Sequence, residues 1–192
     1  MYLDQKFWAE RYKSGQTGWD IGGVSTPLKE YIDQLENKEI KILIPGCGNA
    51  YEADYLFEKG FKNVYIIDIA REPIDLFLTA HQDFPKDQVI NADFFELEDE
   101  FDLVLEQTFF CALDPVLRLE YVKKMYSILR SKGKLVGVLF NVPLNQDHPP
   151  FGGSKEEYQS LFKSHFKKIS IHECYNSIKP RMDREVFIKI EK

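Results

Sequence analysis

At 192 residues, 44% of them hydrophobic and 29% charged, the chain is long enough for one domain with a full core and has the composition of an ordinary soluble globule. A net charge of -6 and a pI near 5.3 argue against a nucleic-acid partner, whose phosphates want a basic face. No apolar run approaches the ~20 residues that span a bilayer, MYLDQKFWAERYKSG lacks the apolar stretch of a signal peptide, and three cysteines, Cys47, Cys111 and Cys174, show no metal-ligand spacing, as expected of reduced thiols in a cytoplasm.

Residues 1–24 gather Phe7, Trp8, Tyr12 and Trp19, with Gly15, Gly18, Gly22 and Gly23 among them. Trp8 and Tyr12 are four apart, so a helix puts them on one face. The glycines then break that helix and leave Trp19 and Asp20 in a loop. Aromatics at this spacing usually pack as core, and composition alone favours a packed arm. The alternative is a lid of rings over a ligand, since a sulfonium cation gains about 0.5–2 kcal/mol from each aromatic face it meets. Thr26-Pro27 reads as a helix start, an N-cap followed by proline at the first helical position. Leu28, Tyr31, Ile32 and Leu35 form one apolar stripe behind it.

Residues 40–68 hold the motif around which the rest is arranged. Residues 40–45 are an apolar run of strand length, and Gly46-Cys47-Gly48 follows at once. Ala50, Ala53, Leu56 and Phe57 recur at helical spacing until Gly60, residues 63–67 form a second strand, and Asp68 stands at its end. Strand, glycine turn, helix, strand and acid make the unit that binds an adenosine-containing cofactor. The glycines admit the backbone close to the ligand, and the acid accepts from ribose hydroxyls. Tyr51 occupies the third position of G-x-G-x-x-G, where a pyrophosphate-binding unit needs glycine. That disfavours a dinucleotide and suits S-adenosylmethionine, which carries no phosphate.

Residues 73–80 read as a helix and residues 88–91 as a third strand, followed by Ala92-Asp93-Phe94-Phe95. Asp93 can accept from an adenine amino group with Phe94 against the ring; taken alone, a surface-turn aspartate is the better reading. Residues 101–105 form a fourth strand, and Glu106 and Gln107 follow it where ligands sit in open α/β sheets. They are site candidates unless they only cap loose backbone groups. Asp114-Pro115 starts a helix that carries Leu117, Tyr121, Val122, Met125, Ile128 and Leu129 and is expected to end at Gly133. A fifth strand over 134–142 leads into the loop NVPLNQDHPPFGG, stiffened by prolines and long enough to wall a pocket. His148 in it is a candidate base, although a loop histidine is more often solvated. Ser154-Lys155-Glu156-Glu157 is a capping box. Residues 167–173 and 184–192 alternate as strands, and the short connection between them fits an antiparallel hairpin.

Strands alternating with helices and a closing strand pair predict an α/β fold. The sheet is mostly parallel and seven-stranded, with one antiparallel strand and helices on both faces. The chain is expected to be one domain, with residues 1–36 an aromatic lid and helix and residues 37–192 a Rossmann-like core.

FWAERYKSGQTGWDIGGVSTPL, LIPGCGN, the Asp68 strand end, ADFF and FDLVLEQTFFCALDP together resemble the thiopurine methyltransferase family, and within it the thiol and halide methyltransferase branch. The PPF loop and the IKPR segment fit as well. The resemblance implies a class I methyltransferase that uses S-adenosylmethionine and releases S-adenosylhomocysteine. It assigns Trp8, Tyr12, Trp19, Gly46, Asp68, Asp93, Phe94 and Gln107 to the cofactor. It reverses the packed-arm reading of Trp8 and Trp19, supports Asp68, and tips Asp93 toward function. Tyr12 stands where the plant branch has tryptophan. Gln107 stands where vertebrate thiopurine enzymes have arginine and plant enzymes tyrosine, which counts against true thiopurine activity. Phe109-Phe110-Cys111-Ala112-Leu113 is closer to the plant pattern.

The expected acceptor is a small soft nucleophile: a thiol, hydrosulfide, halide, thiopurine-like sulfur, or an oxyanion of selenium or tellurium. Phe109, Phe151 and Arg181 are the acceptor-pocket candidates. No obligatory catalytic acid or base and no metal are expected, and the chain is expected to act as a monomer with a dimer left open. Three rivals stand beside this reading: an O- or N-methyltransferase with His148 as base, a non-catalytic cofactor-binding module, and an NAD-dependent reductase.

Overall fold

The computed structural model describes residues 3–192. Its seven-stranded sheet runs in the order β3-β2-β1-β4-β5-β7-β6. The strands are β1 (Ile42–Pro45), β2 (Val64–Asp68), β3 (Val89–Asn91), β4 (Phe101–Gln107), β5 (Leu129–Phe140), β6 (Lys168–Glu173) and β7 (Glu185–Glu191). The first five pair in parallel, and β7 runs antiparallel to both β5 and β6. The expected fold is therefore observed, with β7 as the reversed strand and β6 at the edge.

The helices are α1 (Gln5–Lys13), α2 (Thr26–Asp33), α3 (Tyr51–Glu58), α4 (Arg71–Ala80), α5 (Arg118–Ile128) and α6 (Lys155–Phe162). Strand alternation assigns them to the two faces of the sheet. Leu43 of β1 and Val104 of β4 point into a core with Tyr121, Val122 and Met125 of α5 and Phe162 of α6. Ile42, Ile44, Leu103 and Leu105 point the other way, onto Leu28 and Ile32 of α2, Ala53 and Leu56 of α3, and Phe77 of α4. No helix among the described residues is long and apolar enough to cross a membrane.

Several boundaries differ from the sequence reading, and the most informative are these. The cap of α2 is Ser25, not Thr26; Ser25 holds the extended cap conformation, and its side chain makes no cap hydrogen bond. Asp114 caps a 3-10 turn over Pro115–Leu117, and α5 begins only at Arg118. That helix stops at Ile128 rather than Gly133, because Leu129 already pairs with Phe101 of β4. The register then shifts, and Gly133 sits at the crowded return: a Cβ there would lie 2.8 Å from the Arg130 carbonyl oxygen. Between β3 and β4 the alternation lapses, with only a 3-10 turn over Phe94–Glu96.

Candidate functional site

The C-terminal ends of β1, β2 and β4 open onto one cavity of about 630 Å³. Sites that enclose most of a small ligand run from roughly 300 to 1,000 Å³. Trp8, Tyr12, Trp19, Gly46, Asp68, Asp93, Phe94, Gln107, Phe109 and Arg181 all line it. These residues span the chain from α1 to the approach to β7. The fold thus gathers the eight residues assigned to the cofactor and two of the three assigned to the acceptor.

The floor is the turn after β1. Gly46 has φ +55°, and a Cβ on it would lie 2.3 Å from Cδ2 of Phe109. The turn is stitched to β2: the Cys47 amide donates to the Ile67 carbonyl (3.2 Å) and the Gly48 amide donates to Oδ2 of Asp68 (3.0 Å). Oδ1 of Asp68 accepts from the Ala70 amide (2.8 Å). Burial pushes the Asp68 carboxyl above its ordinary range, while the Ala70 and Gly48 amides pull the other way. The acid is therefore held in place by backbone before any ligand arrives.

The front wall is aromatic. Asp4 caps α1 by accepting from the Phe7 amide (2.9 Å). Trp19 then meets Trp8 and Tyr12 edge-on, with centroids 5.6 and 5.7 Å away. Hydrogen bonds from distant elements tie this loop to the core. Nη2 of Arg181 donates to the Trp19 carbonyl (2.8 Å), and Oδ2 of Asp20 accepts from Nδ2 of Asn49 (2.7 Å). Arg181, expected as a solvated hairpin arginine unless it serves the site, is only 8% exposed and pairs with Glu185 at 3.6 Å.

The far wall forms where β4 ends. Glu106 and Gln107, consecutive on the strand, point to opposite sides. Glu106 turns inward, completely buried, and accepts from the Phe109 and Phe110 amides (2.8 and 2.9 Å) and from the Tyr121 hydroxyl (2.7 Å). It is a backbone cap, one of the two roles left open for it. Gln107 turns into the cavity, and its Oε1 is buried without a hydrogen-bond partner among the described residues. An orphaned acceptor in a cavity wall is what a ligand with N–H or O–H groups would satisfy. Thr108 follows with φ +61°, a strained conformation for a β-branched residue, and such strain concentrates at ligand sites. The Phe94 ring packs edge-on against Phe109 with centroids 5.2 Å apart. Asp93 also caps its own turn, accepting from the Phe95 amide (2.9 Å).

Two candidates fall elsewhere. Phe151 is buried behind the wall, its amide donating to the Cys111 carbonyl (2.7 Å), so its neighbours Pro149 and Pro150 line the cavity in its place. His148 is exposed on that loop, outside the cavity, with Nδ1 3.0 Å from the Pro149 carbonyl oxygen. Sequence reasoning missed Arg11, Asp20, Glu52 and Cys111, all of which line the cavity. Asp20 adjoins Trp19, so the Trp-Asp pair was the available signal; the others carry no local mark. Cys47 and Cys111 are buried free thiols that both line the cavity, and burial pushes Cys111 up to about 12.

Glu52 and Glu106 are both pushed up to about 7, chiefly by burial. The folded state then binds protons more tightly than the unfolded chain, so the stability these groups contribute is fully present below the ordinary glutamate range. It is lost as pH rises through about 7. Asp33, held low by Lys59, Tyr55 and Lys29, acts in the opposite sense only at more acid pH. Melting temperature should therefore fall between pH 5.5 and 7.5, with each group contributing about 1.4 kcal/mol per pH unit at most. Thermal melts of Glu106→Gln should show a flatter profile; a profile as steep as wild type would show that Glu106 is ionised throughout.

The fold is similar to that of a Burkholderia thailandensis 1,6-didemethyltoxoflavin-N1-methyltransferase solved with its substrate and S-adenosylhomocysteine. The TM-score is 0.78 at 16% identity, over 98% of this chain and 86% of that one. In sequence, a probable thiol methyltransferase 2 of Arabidopsis thaliana is 26% identical over 93% of this chain and 81% of its own length. Thiocyanate methyltransferase 1 of Brassica oleracea is 26% identical over 95% and 83%. The thiopurine S-methyltransferase family model matches residues 3–187. With that match over nearly its whole length, and with a strand-end acid, glycine turn and aromatic wall meeting in one cavity, the chain belongs to the thiopurine S-methyltransferase family.

Proposed function

We propose that this methyltransferase transfers the methyl group of S-adenosylmethionine to a small soft nucleophile: a thiol, hydrosulfide, halide or thiopurine-like sulfur. The observation that carries the reading is the convergence of Asp68, the Gly46 turn, Asp93, Phe94 and the Trp8–Tyr12–Trp19 cluster on one cavity. The cavity suits the donor chemically. Asp68 offers a fixed carboxylate for a ribose diol, Asp93 and Phe94 offer an acceptor and a ring for adenine, and the aromatic wall suits a sulfonium. Gln107 Oε1, without a hydrogen-bond partner among the described residues, supplies a further acceptor beside them.

The donor supplies an electrophilic methyl whose leaving group is a neutral thioether. The protein must hold the acceptor in line with the departing sulfur, about 3–3.5 Å from the methyl. Phe109 and Arg181 are the acceptor-side residues in this reading. Phe109 gives an apolar wall, and Arg181, held by the Trp19 carbonyl and only loosely paired with Glu185 at 3.6 Å, uses what charge Glu185 leaves it to favour an anionic acceptor over its protonated form. A thiol has an ordinary pKa near 8.5, so a modest downward shift delivers thiolate, and halides need no deprotonation. The burial of Phe151 and the exposure of His148 shift the roles: the former stiffens the wall, and the latter is not positioned to serve as the base an O- or N-acceptor needs.

Labelled S-adenosylmethionine screened against small thiols, hydrosulfide, iodide, thiocyanate and a panel of phenols and amines tests the proposal. Label should pass to the sulfur and halide acceptors. Transfer confined to phenols or amines, or donor binding without transfer to anything, would reject it.

A further inference from the structure

The donor reading leaves one part of the ligand without a partner. S-adenosylmethionine ends in an amino-acid tail whose carboxylate is anionic, and enclosing that group strips its water at considerable cost. The cavity is otherwise hostile to it, since Asp20, Glu52, Asp68, Asp93 and Asp114 all line the wall. Three guanidinium groups stand against them: Arg11, Arg181 and Arg184. Arg181 is committed to the Trp19 carbonyl and to Glu185. Arg184 is exposed.

Arg11 differs. It sits on α1 between Trp8 and Tyr12, lines the cavity, and is partly buried. Its Nε is buried with no hydrogen-bond partner among the described residues. Its guanidinium carbon lies 4.6 Å from the centroid of the Phe7 ring, within cation–π range. A buried N–H without an acceptor is costly, so a native fold that keeps one invites an acceptor from outside the chain. The planar fork of arginine matches a carboxylate with paired hydrogen bonds.

We propose that Arg11 binds the carboxylate of the donor's amino-acid tail. Its neighbours Trp8 and Tyr12 thereby bring to the site, on one helical turn, both the rings that face the sulfonium and the cation that fixes the tail. The inference rests on the donor reading given above.

Two nucleosides separate the tail from the rest of the ligand. S-adenosylhomocysteine carries the carboxylate, and 5'-methylthioadenosine lacks the whole amino-acid tail. Calorimetric titration of wild type and Arg11→Gln with both should show S-adenosylhomocysteine weakened roughly tenfold or more by the substitution. Binding of 5'-methylthioadenosine should change by less than about twofold, and Arg11→Lys should recover part of the loss. Equal losses for both nucleosides would make Arg11 a purely structural residue and overturn the proposal. So would unchanged S-adenosylhomocysteine affinity with a raised KM for the acceptor, which would move Arg11 to the acceptor side. Wild type that binds neither nucleoside would remove the donor reading itself.

Discussion

Asp68→Ala is expected to weaken S-adenosylhomocysteine binding by more than tenfold while the chain stays folded. The loss has two physical sources. In the proposed reading the carboxylate accepts from a ribose diol, and a charge-assisted pair of that kind contributes about 1.5–3 kcal/mol. The same carboxylate also holds the Gly48 and Ala70 amides, at 3.0 and 2.8 Å. Alanine would leave both amides without their acceptor and loosen the glycine turn that forms the cavity floor. Asp68→Asn separates the two effects. Its remaining oxygen can still serve one amide, so the melting temperature should fall less than in Asp68→Ala, while affinity still falls because the charge is gone. Calorimetric titration paired with thermal melts reads both. Unchanged affinity in Asp68→Ala would reject the ribose assignment.

A second large effect is expected from Gly46→Ala, a change of one methyl group. The backbone there has φ +55°, a left-handed conformation that costs an L-residue about 1 kcal/mol. The added Cβ would also lie 2.3 Å from Cδ2 and 2.8 Å from Cγ of Phe109. Phe109 cannot simply retreat, because its amide is fixed to Glu106 at 2.8 Å and its ring packs on Phe94. The clash must therefore distort either the turn or the acceptor wall, at roughly 1–3 kcal/mol for overpacking of this kind. Donor affinity should drop tenfold or more, with a lowered melting temperature. Phe109→Ala added to Gly46→Ala should restore part of the stability, since it removes the clash and leaves only the backbone strain; the two changes would then be strongly non-additive. Gly48→Ala offers a milder comparison, since its Cβ would meet only the Tyr12 hydroxyl, at 3.1 Å. Wild-type affinity and melting temperature in Gly46→Ala would show that the turn is softer than its geometry implies.

Arg181 and the Glu106–Gln107 pair show where reading the chain alone stops. Arg181 looks like a solvated arginine in a hairpin connection until the fold brings it against the Trp19 carbonyl, 162 positions away in sequence. Glu106 and Gln107 are adjacent polar residues at a strand end, equally eligible for the site. Only the pleat and the position of Tyr121 decide that the first caps backbone in the core and the second faces the cavity. Phe151 fails for a related reason: the Pro-rich loop was read as a pocket wall, and it is one, but its prolines rather than its phenylalanine form the surface. The end of α5 is not legible in sequence because Leu129 is apolar in either state, and only pairing with Phe101 makes it a strand residue.

What the sequence determined by itself was whatever depends on neighbours along the chain. The run from β1 through the glycine turn and α3 to Asp68, the two-faced periodicity of the strands, and the closing β6–β7 pair are local patterns, fixed by side-chain alternation, helical spacing and the freedom of glycine at positive φ. Packing alone settles which polar groups are spent inside the protein and which are left for a ligand. Asp68 is spent partly on the glycine turn and Glu106 wholly on the Phe109 and Phe110 amides and the Tyr121 hydroxyl, whereas Gln107 and Arg11 keep buried atoms without partners among the described residues. That distinction depends on contacts between elements far apart in sequence, because burial and hydrogen-bond satisfaction are properties of the packed whole.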